Sequence, residues 1–67
     1  MSVVKFVEIS SSSKVSIEDA VKLGLSKTAK TLQNIQGAWI NETKVKTSPK
    51  GEVTEWRVNM RISFIVD

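Results

Sequence analysis

VTEWRVNMRISFIV, residues 53–66, alternates along most of its length. Trp56, Val58, Met60, Ile62, Phe64 and Val66 are apolar at the even positions, whereas Glu55, Arg57, Asn59, Arg61 and Ser63 are polar at the odd ones between Val53 and Ile65. A period of two is the signature of a strand with one face against protein and the other polar. Extended residues rise ~3.3 Å each, so this stretch reaches roughly 46 Å. A compact chain of this size has a radius of gyration of about 11 Å and is on the order of 30 Å across. The strand must therefore bend, overhang, or pair with another chain. It is expected to be the central strand, its free end covered by a neighbouring copy.

The chain has 67 residues, one domain near the lower end of what folds alone, because so short a chain buries only ~60% of its unfolded surface. It contains neither Cys nor His, which removes disulfides and an ordinary zinc site as staples. Oligomerisation is the remaining candidate. The N-terminal MSVVKFVEI lacks a long apolar run followed by a small-residue cleavage site, and no stretch approaches the ~20 apolar residues of a membrane span. A soluble cytoplasmic protein without membrane partners is expected. The net charge of +3 and pI of about 9.5 would suit an anionic partner. However, seven acids are interspersed with ten basic residues, and no nucleic-acid partner is expected unless Lys22, Lys27 and Lys30 form one patch.

Val3 to Ile9 is rich in β-branched residues and apolar on both sides, which favours a strand meeting protein on both faces. The four serines that come next, residues 10–13, read as a flexible loop in preference to a phosphate cradle, since no glycine accompanies them and no lysine stands in P-loop register. Ser16 is a good N-cap for a helix whose first turn carries Glu18 and Asp19, where the helix dipole favours negative charge. Ile17, Ala20, Val21, Gly24, Leu25, Thr28, Leu32 and Ile35 recur at helical spacing. Ala20 and Gly24 would let a sheet approach closely, and Gly37 is expected to mark the exit. Lys22, Lys27 and Lys30 fall largely off this stripe, as on a solvated face.

Ala38 to Lys46 reads as a second strand, with Trp39, Asn41, Thr43 and Val45 on one face and Ala38, Ile40, Glu42, Lys44 and Lys46 on the other. Thr47 to Gly51 supplies the turn, where Pro49 presets one dihedral and Gly51 allows a positive one. The order strand, helix, strand, strand gives an α+β fold. With the last strand between the other two, every pairing in a three-stranded sheet of order 1-3-2 is antiparallel. The helix then lies across the even face of the last strand, leaving Arg57, Asn59 and Arg61 for solvent, a ligand or another subunit.

Without His or Cys the commonest general base and the best nucleophile are missing, and the carboxylates show no paired motif with metal or glycosidase spacing. Binding, storage or assembly is the expected class, not catalysis. Trp56 begins the apolar alternation and suits a core or interface. Trp39 shares its strand face with polar residues, so its indole either seals a subunit contact or offers a stacking platform to a planar ligand.

VVKFVEISSSS, the Ser16-capped IEDAVKLGLSKTAKTLQNI, GAWI, and the closing EWRVNMRISFIV together resemble the dodecin family across essentially the whole chain. The resemblance implies a β-α-β-β protomer whose sheet partly wraps its helix, and a hollow homododecamer of tetrahedral symmetry. It also implies a cofactor: riboflavin-type flavins, riboflavin, FMN or FAD, stacked between subunits on a tryptophan matching Trp39, for storage and photoprotective quenching. Arg57 departs from the flavin-binding members, where a glutamine stands whose amide both donates and accepts. Arginine has five donors and no acceptor. It could clamp a carbonyl or phosphate, or lay its guanidinium over Trp39 and close the pocket. Lys46 matches a basic position near the flavin tail. The alternative is a dodecin-like assembly, its pocket closed by Arg57, that binds another small ligand or a metal ion, with Glu42 and Glu55 as the acids to watch.

Overall fold

The computed structural model describes residues 3–66. Its elements are β1 (Val3–Ser13), α1 (Ile17–Thr28), β2 (Ile35–Thr47) and β3 (Val53–Val66). β3 lies between β1 and β2 in one antiparallel sheet of order β1-β3-β2. The order and the central place of β3 are those read from its alternation. So is the overhang: the molecule measures 53 × 19 × 13 Å with a radius of gyration of 13.9 Å. A helix of 12 residues is about 18 Å long and covers only part of such a sheet.

The covered part is the even face of β3. Val58 and Met60 are buried with Ala20, and Ile9, Ile17, Val21 and Leu25 pack around them. Ile62, also on the even face, is fully buried. Gly24 is what lets α1 come this close. A Cβ built there would stand 2.9 Å from Met60 Cε and 2.9 Å from Ser11 Cβ.

The helix starts where its cap residue requires. Ser16 Oγ accepts from the backbone N–H of Asp19 at 3.0 Å. The buried hydroxyl of Ser13 donates to Asp19 Oδ2 at 2.6 Å and accepts from the N–H of Val15 at 2.9 Å. These bonds fix the junction between β1 and α1, and the cap satisfies one orphan donor of the first turn, the Asp19 N–H.

Three boundaries differ from the sequence expectation. Ser10–Ser13 are strand, not loop, because they pair in register with Asn59, Val58, Arg57 and Trp56. Long-range pairing overrides the local turn preference of serine. The helix ends at Thr28 rather than near Ile35, with Thr31 N–H and Thr31 Oγ1 both donating to the Thr28 carbonyl. Leu32 and Ile35 continue the apolar pattern from a turn and a strand, which is why spacing alone runs the helix on. The exit is made at Asn34, whose φ of 61° places it in the left-handed region, a conformation asparagine tolerates better than most residues. Gly37 is already inside β2, which begins at Ile35 and not Ala38. The hairpin turn is as expected: Gly51 has φ 84°, and its N–H donates to the Ser48 carbonyl at 2.9 Å.

Candidate functional site

The face of the sheet away from α1 carries the polar positions of β3. Cross-strand neighbours share a face, so the register names its occupants: Glu8, Ser10 and Ser12 from β1, and Trp39, Glu42, Lys44 and Lys46 from β2. Regular alternation would put Trp39 and Lys46 on opposite faces. A register shift between Ile40 and Glu42 makes Asn41 an extra residue on β2. Such a bulge reverses the phase of the residues beyond it, so Glu42, Lys44 and Lys46 join Trp39 while Thr43 and Val45 turn to the helix side. The face assignments expected for β2 beyond Ile40 are therefore corrected. Asn41 is tied down: its side-chain amide donates to Asn59 Oδ1 at 3.1 Å, and Asn59 Nδ2 donates to Ser10 Oγ at 3.2 Å. This line of side chains crosses all three strands.

On one side of that line is an aromatic group. Trp39 and Phe6 are 50% and 52% exposed, with ring centroids 5.7 Å apart and planes tilted by 53°. The guanidinium carbon of Arg61 lies 5.0 Å from the Trp39 centroid and 5.2 Å from that of Phe6. Both fall within the ~6 Å of a cation–π contact, worth roughly 0.5–1 kcal/mol at exposed sites. Arg61 forms no ion pair among the described residues, although Glu8 is its partner across the β1–β3 register.

On the other side is a charged group. Glu55 accepts from Arg57 Nε at 3.3 Å and lies 3.9 Å from Lys46 Nζ. The nearby Ser12 hydroxyl contributes most to holding Glu55 below its ordinary carboxyl range; partial burial opposes this, and the charges of Arg57 and Lys46 assist it. Ser10, Glu42, Lys44, Arg57 and Asn59 border an open hollow of about 220 Å³.

The residues singled out from the sequence thus share one face but not one cluster. Lys46 and Arg57 meet through Glu55. Trp39 pairs with Arg61, four positions from Arg57 along β3, which is roughly 13 Å. Closure of Trp39 by Arg57 does not occur within the chain, because Arg57 sits opposite Lys44 and turns to Glu55. The arginine over the indole is Arg61. Sequence reasoning left Arg61 on the polar face for solvent, a ligand or another subunit without pairing it with Trp39, and it missed Phe6 as a neighbour of that indole. A signal for Arg61 was present: counting back from Thr47 and forward from Val53 in step reaches Trp39 and Arg61 together, since the extra residues Thr54 and Asn41 offset each other.

Chemically the face can stack a planar ring and bond acceptors at its rim. Among the described residues no group of three carboxylates is placed to hold a metal ion, and no helix is long and apolar enough to cross a membrane.

Comparison with known proteins bears on this geometry. The Dodecin family model matches residues 3–67. A point mutant of the Thermus thermophilus dodecin superposes with a TM-score of 0.91 at 25% identity, covering 100% of this chain and 98% of that one. The dodecin of Streptomyces davaonensis matches with a TM-score of 0.91 at 21% identity over 98% and 96% of the two chains. That of Streptomyces coelicolor matches with a TM-score of 0.91 at 17% identity over 98% and 93%, and these two likenesses speak to the fold alone. No curated protein sequence matches the chain.

Proposed function

Because the chain belongs to the dodecin family, we propose that it is a flavin-binding and storage protein whose copies assemble into a homododecamer and hold riboflavin, FMN or FAD by stacking on Trp39. The observation that carries this reading is the half-exposed indole of Trp39 on the sheet face that α1 leaves uncovered. A tryptophan of this size loses apolar contact area to water unless a planar partner covers it. Close ring stacking also quenches an excited flavin, which suits buffering and protection from light without turnover. A cytoplasmic setting accords with this role.

Assembly is supported by the same bookkeeping. The core is small, the sheet overhangs its helix, and Val3, Val4, Ile40, Val45 and Val53 are exposed besides the aromatic pair. Apolar surface of this extent on a small chain is a docking surface. Arg57 and Lys46 lie in the charged group of the same face. In this reading their cationic heads meet carbonyl oxygens or the phosphate tail of a flavin stacked on a symmetry-related Trp39.

The test is a titration of riboflavin, FMN and FAD into purified protein, followed by flavin emission, with light scattering for mass. Quenching at about one ring per chain and a particle of about 89 kDa, twelve chains of 7.4 kDa, support the reading. Unchanged emission at micromolar protein removes flavin binding, and a monomer peak removes the assembly.

A further inference from the structure

Arg61 has a choice between partners and takes the aromatic one. Across β1 it faces the carboxylate of Glu8, and across β2 it faces the indole of Trp39. Its guanidinium stands over Trp39 and Phe6 and makes no ion pair among the described residues. One π-face of the indole is thereby occupied while half of the residue's surface stays open. A guanidinium stacked on a ring still has its N–H donors pointing outward in the ring plane, where they meet acceptors at the rim of a neighbouring ring. Its charge also repels any cation that approaches the platform.

We infer that Arg61 is the specificity-determining residue of the Trp39 platform. It closes one face of the indole, so each chain takes a single planar ring, and it selects rings with a carbonyl-rich, neutral or anionic edge over cationic ones. The inference rests on the stacking function proposed above and adds to it the class of ring admitted. The dicarbonyl edge of an isoalloxazine satisfies the selection. A cationic acridine of the same size does not. Glu8 moderates the charge but leaves Arg61 unneutralised, since the two are not paired.

Riboflavin and the cationic acridine proflavine are the probes, bound to the wild-type assembly and to Arg61→Met and Arg61→Lys assemblies of unchanged mass and circular dichroism. The wild type should prefer riboflavin, Arg61→Met should shift the ratio of the two affinities by about tenfold toward proflavine, the size of one partly desolvated cation–π contact, and Arg61→Lys should restore part of it. A ratio unmoved by Arg61→Met overturns the inference while leaving flavin storage intact. If the wild type binds no riboflavin, the storage function fails instead. Quenching of the lone Trp39 in a Trp56→Phe background then decides the clamp. Iodide should quench more strongly than caesium, the difference shrinking in Arg61→Met, and equal iodide quenching in both proteins would overturn it.

Discussion

Arg61 lies 5.0 Å from the ring centroid of Trp39, on the sheet face opposite the helix, and Glu8 across the neighbouring strand does not draw it away. The contact holds the indole against one side of β3 and leaves the remainder of its surface for a ligand. Because Trp39 is half exposed, it contributes less to the fold of the single chain than a core residue does. Trp39→Ala should abolish flavin quenching while lowering chain stability by only about 1–2 kcal/mol, the size of its contacts with Phe6 and Arg61. Riboflavin titration alongside urea denaturation checks both halves.

Arg57 stands at the position where the family resemblance implies a glutamine, and its Nε is occupied by Glu55 at 3.3 Å. An arginine cannot accept the imide hydrogen of a flavin. Arg57→Gln should therefore tighten riboflavin binding, with a stability change within the ~0–1 kcal/mol of an exposed ion pair. Weaker or equal binding by the variant would show that the missing acceptor is not what limits affinity.

Glu55 gives the fold an acid-sensitive element. Its pKa is held below 4.5, first by the Ser12 hydroxyl and then by Arg57 and Lys46. A carboxyl with a depressed folded-state pKa stabilises the fold fully above its unfolded value and loses that contribution as pH falls through the folded value. Glu55→Gln should remove this part of the acid unfolding transition, below about pH 4.5, and leave neutral-pH stability less dependent on salt. Thermal melts from pH 7 to pH 3 at two ionic strengths provide the measurement.

Gly24→Ala sets helix propensity against packing. Alanine gains about 1 kcal/mol over glycine within a helix, but its Cβ would meet Met60 Cε and Ser11 Cβ at 2.9 Å and Ile9 Cδ1 at 3.2 Å. The methionine end can move. The serine Cβ is fixed to the strand, and overpacking costs typically 1–3 kcal/mol. A net loss of roughly 1 kcal/mol is expected from the urea midpoint, whereas a gain would show that α1 slides freely on the sheet.

Ser13→Ala removes a buried hydroxyl that serves one carboxylate and the N–H of Val15. Leaving those groups unanswered should cost about 1–3 kcal/mol. Hydrogen exchange at Val15 and Ser16 should accelerate more than at the centre of β3, because the lost bonds hold the β1–α1 junction.

The features legible in the sequence are those a local rule enforces. The alternation of Trp56 to Val66, the Ser16 cap and the Ser48–Gly51 turn each come from a period or a dihedral that neighbouring residues set. The features that stayed hidden depend on distant partners. Ser10–Ser13 look like a loop until Asn59 to Trp56 lie beside them, and Leu32 and Ile35 look helical because the core beyond Thr28 still requires apolar side chains. Asn41 carries no mark of a bulge in its local sequence, yet it decides that Trp39 and Lys46 share a face. Arg61 was legible as a residue of the open face, but its contact with Trp39 was not, because Arg57 occupied the position the family resemblance pointed to.

Flavin storage by this chain requires a flavin ring lying against Trp39. The most direct test is indole emission in Trp56→Phe protein, where Trp39 is the only tryptophan, while riboflavin is added and flavin emission is recorded in parallel. Both signals should fall together and saturate at about one riboflavin per chain. Flavin quenching with Trp39 emission unchanged after correction for absorbance, or no change in either signal, would contradict stacking on this indole.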